Sequence, residues 1–262
     1  MTQPPSVESV FSRAWELLTR NWIIIVPGVV VGVIVGILAA LLTPHVYSST
    51  EYANNPGLAL AAVGGVFVRA IILGCIGVLG YVATVTYTVG MAGAAWARGT
   101  TTLADGSAAF AKDAGNVLIT ALCVLVLGIV AAILAVPTLT LSILALYLFT
   151  IYAMPAAILG NQPGIAAIVE SFRLATQRFV PTLIIVIVIG VVKFVIGLAT
   201  LPLVFVPFVG PILSSVITHA VIAFAVLVIV GEYLSLRSQG TVAQATAGAP
   251  PPYPPGPSGP AV

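Results

Sequence analysis

The segment that decides the fold runs from Gly164 to Gly190 and reads GIAAIVESFRLATQRFVPTLIIVIVIG. In its first half, apolar residues recur at helical spacing and the charged residues fall mostly on the other side of the turn, which is typical of a helix lying on a membrane surface. From Val180 no charged residue follows until Lys193, and about 20 apolar residues are enough to cross a hydrocarbon layer of about 30 Å. The segment therefore predicts a surface helix that leads directly into a transmembrane helix.

The same arrangement opens the chain and recurs more weakly near its middle. The first copy is SVESVFSRAWELLTRNWIIIVPGVVVG, from Ser6, and the weaker copy is ADGSAAFAKDAGNVLITALCVLVLG, from Ala104. When the three are aligned, Trp15, Phe110 and Phe172 share one position, and Trp22, Val117 and Phe179 share another. The pattern predicts three units, each a surface helix followed by a transmembrane hairpin, related by topology more than by sequence.

The composition is that of a membrane protein. Hydrophobic residues make up 60% of the chain, charged residues 6%, and the mean hydropathy is +1.18, whereas about a quarter of a soluble domain is charged. The scattered basic residues form no patch that could follow a phosphate backbone, so we expect no nucleic-acid partner. Cys75 and Cys123 lie inside apolar runs with no partner at ligand spacing, so we expect neither a disulfide, a metal site nor any other cofactor.

The predicted fold class is all-α, a polytopic protein whose membrane domain covers residues 6–238. Residues 1–5 and the Pro-rich tail 239–262, which contains PPPY at 250–253, are predicted to be disordered. The first apolar run is too long for a signal-peptide core and should stay attached. The six predicted spans cover about residues 22–42, 66–96, 117–136, 139–159, 180–201 and 212–230.

Glycines at intervals of three and four residues predict close helix contacts in two of these spans. Gly28, Gly32 and Gly36 form one stripe in the first span, which serves either as a dimer seam or in packing within the bundle. A longer set follows in the second span, namely Gly74, Gly77, Gly80, Gly90 and Gly93.

The distribution of basic residues predicts the orientation. Seven of them fall on one side of the predicted spans, Arg69 falls on the other, and Lys193 lies within a span. By the positive-inside rule we expect a bacterial plasma-membrane protein with both termini and the surface helices in the cytoplasm. The basic residues of the surface helices are candidate contacts for lipid headgroups: Arg13, Arg20, Lys112, Arg173 and Arg178. The expected partners are membrane lipids, with a membrane-protein partner or a second copy of the chain as further possibilities.

Polar residues near the outer ends of the last two spans form a candidate intramembrane site. Lys193 and His219 are each about eight residues, or about 12 Å, from the outer ends of their spans, and Ser215 and Thr218 lie close to His219 in the sequence. Either these residues line a polar cavity that binds an anionic group, or Lys193 reaches the outer headgroups with its long stem while His219 bonds inside the bundle.

The sequence offers little for enzymatic chemistry. It contains no metalloprotease, nucleophile-elbow or phosphate-loop motif in a suitable context. Our first hypothesis is therefore a non-enzymatic membrane protein that organises or senses the cytoplasmic leaflet through its amphipathic helices. The second is a transporter or channel for a small or amphiphilic anionic substrate that uses Lys193 and His219. An intramembrane enzyme acting on lipids is the least favoured.

Two stretches resemble a known bacterial family. They are FSRAWELLTRNW, from Phe11, and YAMPAAILGNQPGIAAIVESFRLATQRFVPTLIIVIVIG, from Tyr152, in which Pro155, Gly164, Ser171 and Leu174 stand out. This pattern resembles the membrane domain of glycerophosphoryl diester phosphodiesterases and related membrane domains of unknown function, over about residues 6–237. The resemblance implies a six-span bundle with amphipathic cytoplasmic helices. It does not imply the phosphodiesterase activity, because in the namesake proteins a separate catalytic domain carries that chemistry.

Overall fold

A computed structural model describes residues 6–42, 56–138, 141–206 and 209–247, and every regular element in these ranges is helical. The predictions for residues 1–5 and for the PPPY motif lie outside the described residues. The α-helices are α1 Val7–Arg20, α2 Val26–Leu42, α3 Pro56–Arg98, α4 Leu103–Ala135, α5 Leu141–Thr150, α6 Ala153–Ile158, α7 Ile165–Gln177, α8 Phe179–Thr200 and α9 Val209–Ala247. Two 3₁₀ turns, Trp22–Ile25 and Leu201–Phe205, precede α2 and follow α8.

The described chain is an all-α polytopic protein, as the sequence predicts. It has 5 helical segments long and apolar enough to cross a membrane, or 6 when α1 and α2, which meet at 92°, are counted together as one bent span. The segment formed by α5 and α6 is interrupted at Ile151 and Tyr152. Three connected hairpins result, in the order α2 and α3, α4 with α5 and α6, and α8 and α9.

The helix boundaries differ from the predicted ones in two places. The second surface helix and the third span form one continuous helix, α4, without a break near Val117. Val117 is fully buried, whereas Trp22 and Phe179 at the aligned positions are exposed. This unit therefore continues its helix through the aligned position and places the side chain in the core. At the other end of the chain, α9 continues through residue 239, where the sequence predicts the start of the tail, and ends at Ala247.

The tightest packing lies at one end of the bundle. We call it the surface-helix end; it contains α1, the 99–102 loop, the first part of α4, α6, α7 and the 223–236 part of α9. The buried core residues of α3, from Val82 to Ala95, lie at this end. By contrast, Phe67, Ile71 and Leu79, which precede that stretch in α3, are 66%, 51% and 60% exposed. Their exposure matches a surface that faces lipid.

The first glycine stripe packs within the bundle. A Cβ atom at Gly28 would lie 3.0 Å from the Cβ of His219, and one at Gly36 would lie 3.5 Å from Cγ1 of Ile212, so α2 approaches α9 closely and antiparallel to it. The predicted contacts are also present at Gly80, Gly90 and Gly93, which face neighbouring helices. At Gly74 and Gly77 the prediction is wrong, because a Cβ there would meet none of the described atoms within 4 Å.

Candidate functional site at the surface-helix end

Helix α1 is amphipathic, and it uses one face to hold itself against the bundle. Ser6 caps it by accepting a hydrogen bond from the Ser9 amide at 3.2 Å, which satisfies a donor that has no partner within the helix. Its buried face consists of Val10, Ala14, Leu17 and Leu18. Trp15 is 60% exposed, and its ring still meets Phe224 of α9 edge-on at 5.9 Å between centroids.

Helix α7 has the same design. Ala167, Ser171, Leu174 and Ala175 form its buried face, and Phe172, at the position aligned with Trp15, is 51% exposed. On the exposed side Arg173 donates to both carboxylate oxygens of Glu170, at 2.8 and 3.0 Å. This hydrogen bonding raises the pKa of the Arg173 guanidinium, so the side chain stays charged.

The turns from surface helix to span have nearly the same backbone geometry in the first and third units. Asn21 has φ −125° and ψ 51°, and the aligned Arg178 has φ −129° and ψ 56°. The amide of each residue donates to a carbonyl four residues earlier, on Leu17 at 2.9 Å and Leu174 at 3.3 Å. Two positions aligned by sequence alone thus share a rare local conformation, which supports the repeat for these two units.

We call the turns at Asn21 and Arg178 corners. The residue after each corner has an exposed aromatic side chain. Trp22 is 68% exposed and Phe179 is 45% exposed. With Trp15 and Phe172 they give each of the two units a pair of exposed aromatic rings seven residues apart. Trp side chains are typical of the boundary between lipid and water, and Phe as well as Trp occurs on helices that lie in that boundary.

In each unit, a hydrogen bond or an ion pair also joins the start of the hairpin to its end. In the first unit the Asn21 side chain donates to the Gly99 carbonyl at 3.1 Å and accepts from the Thr101 amide at 3.0 Å. In the second unit the Gly164 amide donates to the Thr120 hydroxyl at 2.8 Å. In the third unit the guanidinium of Arg178 lies 3.3 Å from the carboxylate of Glu232 on α9.

The ion pair of the third unit is buried beside the break between α5 and α6. Glu232 is fully buried, and the Arg178 side chain is 19% exposed. Nearby, the hydroxyls of Tyr152 and Thr182 share a hydrogen bond of 3.0 Å, and the Tyr152 amide donates to Ser171 at 3.0 Å. Tyr152 and Ser171, which stand out in the family-like stretch, therefore connect the broken span to α7.

Sequence reasoning missed two buried carboxylates. Glu232 lies two residues beyond the predicted last span, and Asp113 lies in the predicted second surface helix, yet Glu232 is fully buried and Asp113 is 3% exposed. Within the described residues, Oδ1 of Asp113 and both carboxylate oxygens of Glu232 have no hydrogen-bond partner. The available signal was the apolar context of Glu232, because a lone acid inside an apolar helix is costly unless it is paired.

The residues of the predicted intramembrane site have different surroundings. Lys193 is exposed on α8, where Phe194 beside it is 67% exposed. His219 is half-buried on α9 and faces α2 and α3, where Gly28 and Thr84 are its neighbours. Thr218 is exposed, and the side chain of Ser215 lies outside the described set.

The predicted headgroup contacts divide into two groups. Arg13, Arg20, Lys112 and Arg173 are exposed at the surface-helix end. Arg178 instead points inward to Glu232, so we do not retain it as a headgroup contact. The two arginines of α1 share a single carboxylate, since Glu16 lies 3.3 Å from Arg20 and 3.9 Å from Arg13.

A cavity of about 330 Å³ opens at the same end, between α1, the last turn of α3 and α9. Its lining consists of Ser9, Val10, Arg13, Trp96, Ala97, Gly231, Leu234 and Ser235. Among the residues that the structure describes, no three His, Cys, Asp or Glu side chains lie close enough together to hold a metal ion.

The fold and this end of the bundle define a class, a polytopic α-helical membrane protein whose first and third surface helices are joined to their spans through polar corners. Comparison with protein-family models, curated proteins and solved structures finds no match to this chain. The case for a function therefore depends on the geometry above.

Proposed function

We propose that this chain is a non-enzymatic, multi-pass protein of the bacterial plasma membrane that organises or senses lipids of the cytoplasmic leaflet. The observation that carries the proposal is the repeated design of α1 and α7. Both turn at the same corner, and both present a pair of exposed aromatic rings at the end of the bundle where the basic residues gather. Such rings anchor a protein at the level of the headgroups.

Charge supplies a second, adjustable attraction. Arg13, Arg20 and Arg173 are about half or more exposed, and each lies within 4 Å of a glutamate. The pair between Glu16 and Arg20 is exposed on both sides, and such pairs contribute only about 0 to 1 kcal/mol, so a lipid phosphate can replace Glu16 at little cost. Glu170 is only 15% exposed and accepts two hydrogen bonds from Arg173, so Arg173 keeps this pair and its remaining N–H groups bind the phosphate. Lys112 has no ion pair among the described residues. Each basic residue near an anionic leaflet contributes about 1 kcal/mol.

The same sorting of charge supports the proposed orientation. Arg98 pairs with Asp105 at 2.7 Å beside the corner of Asn21, and Arg237 donates to the Leu159 carbonyl at 2.7 Å beside α7. Arg69 lies in the opposite half of α3. The concentration of basic residues at the surface-helix end supports, through the positive-inside rule, a cytoplasmic position for that end and for both termini.

Lipid analysis of protein extracted directly from membranes with a polymer tests this function. We expect the discs around the wild-type protein to be enriched about two-fold in anionic lipid over the bulk membrane, and the double variant Arg20→Gln, Arg173→Gln to lose most of that enrichment. The matched control is Arg69→Gln, Lys193→Gln, which removes the same charge away from the surface-helix end. Equal lipid composition in the discs and in the bulk membrane would refute the proposal.

A second candidate, a transporter for an anionic substrate, is favoured by one observation. Thr84 of α3 lies near His219, since both side chains approach Gly28. The Thr84 hydroxyl is buried and has no hydrogen-bond partner among the described residues. It is therefore available to hydrogen-bond a solute in the interior. Substrate-dependent flux in proteoliposomes that His219→Ala and Lys193→Met abolish would support this candidate. Flux unaffected by both changes would exclude the predicted route.

A further inference from the structure

The cavity between α1, α3 and α9 has a rigid, largely apolar wall. The indole N–H of Trp96 donates to the Leu227 carbonyl of α9 at 2.9 Å, which fixes the ring. Gly231 packs directly on that ring, where a Cβ atom would collide with it. Val10 and Leu234 complete the apolar part of the lining.

The lining of the cavity includes one cationic side chain. This is Arg13, whose side chain is 54% exposed. Its contact with Glu16 is 3.9 Å long, whereas Arg20 lies closer to the same carboxylate at 3.3 Å. Glu16 is therefore paired mainly with Arg20. The guanidinium of Arg13 can bind an external anion with little loss of attraction to Glu16.

Two hydroxyl groups also line the cavity. The hydroxyl of Ser9 donates to the Ser6 carbonyl, and that of Ser235 donates to the Glu232 carbonyl, at 2.7 and 2.8 Å. Both oxygens keep lone pairs that accept hydrogen bonds. The cavity thus combines an anion-binding group, two acceptors and an apolar wall.

We infer that this cavity binds one anionic phospholipid of the leaflet that faces the surface-helix end. The phosphate pairs with Arg13, hydroxyls of the headgroup donate to Ser9 and Ser235, and the glycerol ester and upper acyl carbons lie against Trp96 and Leu234. A free anion would leave the apolar wall unused, and a neutral amphiphile would leave Arg13 unused. The volume falls near the lower end of the range of about 300 to 1,000 Å³ for small-molecule sites, which suits a headgroup and the first part of its chains.

This inference depends on the proposed function, because it takes the cavity to open onto an anionic leaflet. It goes further in assigning one discrete site whose affinity depends on Arg13. The exposed residues of α7 take no part in it, so the two ideas predict different responses to substitution.

Tryptophan quenching by brominated lipids tests the site. The chain has 3 tryptophans, and the double variant Trp15→Phe, Trp22→Phe leaves Trp96 as the reporter. In vesicles we expect brominated phosphatidylglycerol to quench Trp96 with about five-fold higher relative affinity than brominated phosphatidylcholine, the factor for one added cationic contact. Arg13→Gln should remove this preference, and Arg69→Gln, a matched charge loss away from the surface-helix end, should leave it unchanged.

Two further measurements test whether the molecule bound in the cavity is a phospholipid. Ala97→Leu places bulk in the cavity from an exposed position and should reduce quenching by both lipids without unfolding the protein. Soluble glycerol phosphate should compete poorly, since it cannot use the apolar wall. Equal quenching by both lipids in the reporter protein, or equal loss in Arg13→Gln and Arg69→Gln, would overturn the site. If anionic enrichment in polymer discs persists in that case, the proposed function stands without it.

Discussion

At the scale of single residues, the buried ion pair between Arg178 and Glu232 makes the sharpest prediction. Glu232 is fully buried, whereas Arg178 retains 19% exposure. Breaking a buried pair by removing one partner costs about 3 to 5 kcal/mol, because the other charge is left uncompensated. We expect Arg178→Gln to destabilise the protein more than Glu232→Gln, since the arginine can still reach water.

The double variant Arg178→Gln, Glu232→Gln controls for the loss of each side chain alone. It should recover much of the stability lost in Arg178→Gln, which a double-mutant cycle in detergent measures through the midpoint of thermal unfolding. Additive losses would mean that the two residues act independently. The pair would then not join the third corner to α9.

The residue scale is also where the sequence predicts least. Lys193 and His219 lie at similar predicted depths, but depth does not fix the direction around a helix axis. The structure turns His219 toward Gly28 and leaves Lys193 exposed. Likewise, Asn21 bonds to residues 78 and 80 positions away in the chain, and no local pattern signals such partners.

At the scale of helices, the contact between α3 and α4 depends on small residues. A Cβ atom at Gly90 would collide with Ala109 and lie 3.2 Å from the Asp105 carbonyl oxygen, which belongs to a rigid backbone. We expect Gly90→Ala to lower the unfolding midpoint by separating the two helices. Gly74→Ala, in the same helix with open space around it, should raise stability by up to about 1 kcal/mol through helix propensity.

Both variants add one methyl group to the same apolar helix, so only the surroundings differ. The midpoints of thermal unfolding in one detergent are sufficient to compare them. A similar loss in both would mean that α3 packs elsewhere than at Gly90, or that its first half has a partner in the membrane.

Helical periodicity predicts α1 and α7 because their apolar faces are narrow and their opposite faces carry charge. It does not distinguish a bent unit from a straight one. The first and third units break their helices at Asn21 and Arg178, where polar side chains reach across the bundle, while α4 continues without a break and buries Val117. The difference comes from tertiary contacts, which compete with the local preference to continue the helix.

For the whole molecule, hydropathy alone predicts an all-α polytopic fold, because a chain with 6% charged residues cannot cover a soluble surface. Packing within that fold was less accessible to prediction. Both halves of α3 are apolar, yet Val85 and Val89 are buried while Phe67 and Ile71 are exposed. Lipid and the protein interior have similar polarity. Composition therefore does not tell which half of α3 faces lipid and which half packs against the protein.

The proposed orientation predicts which parts of the chain are accessible from each side of the membrane. In a background with Cys75→Ala and Cys123→Ala, single cysteines replace Ser12 in α1, Ser107 in α4 and Thr176 in α7, all exposed at the surface-helix end. A membrane-impermeant maleimide should label these only after the cells are permeabilised. Gly64→Cys, exposed in the opposite half of α3, is the matched control and should be labelled in intact cells. Labelling of Ser12→Cys and Thr176→Cys from different sides would rule out a common membrane face for α1 and α7, and with it a shared role at one leaflet.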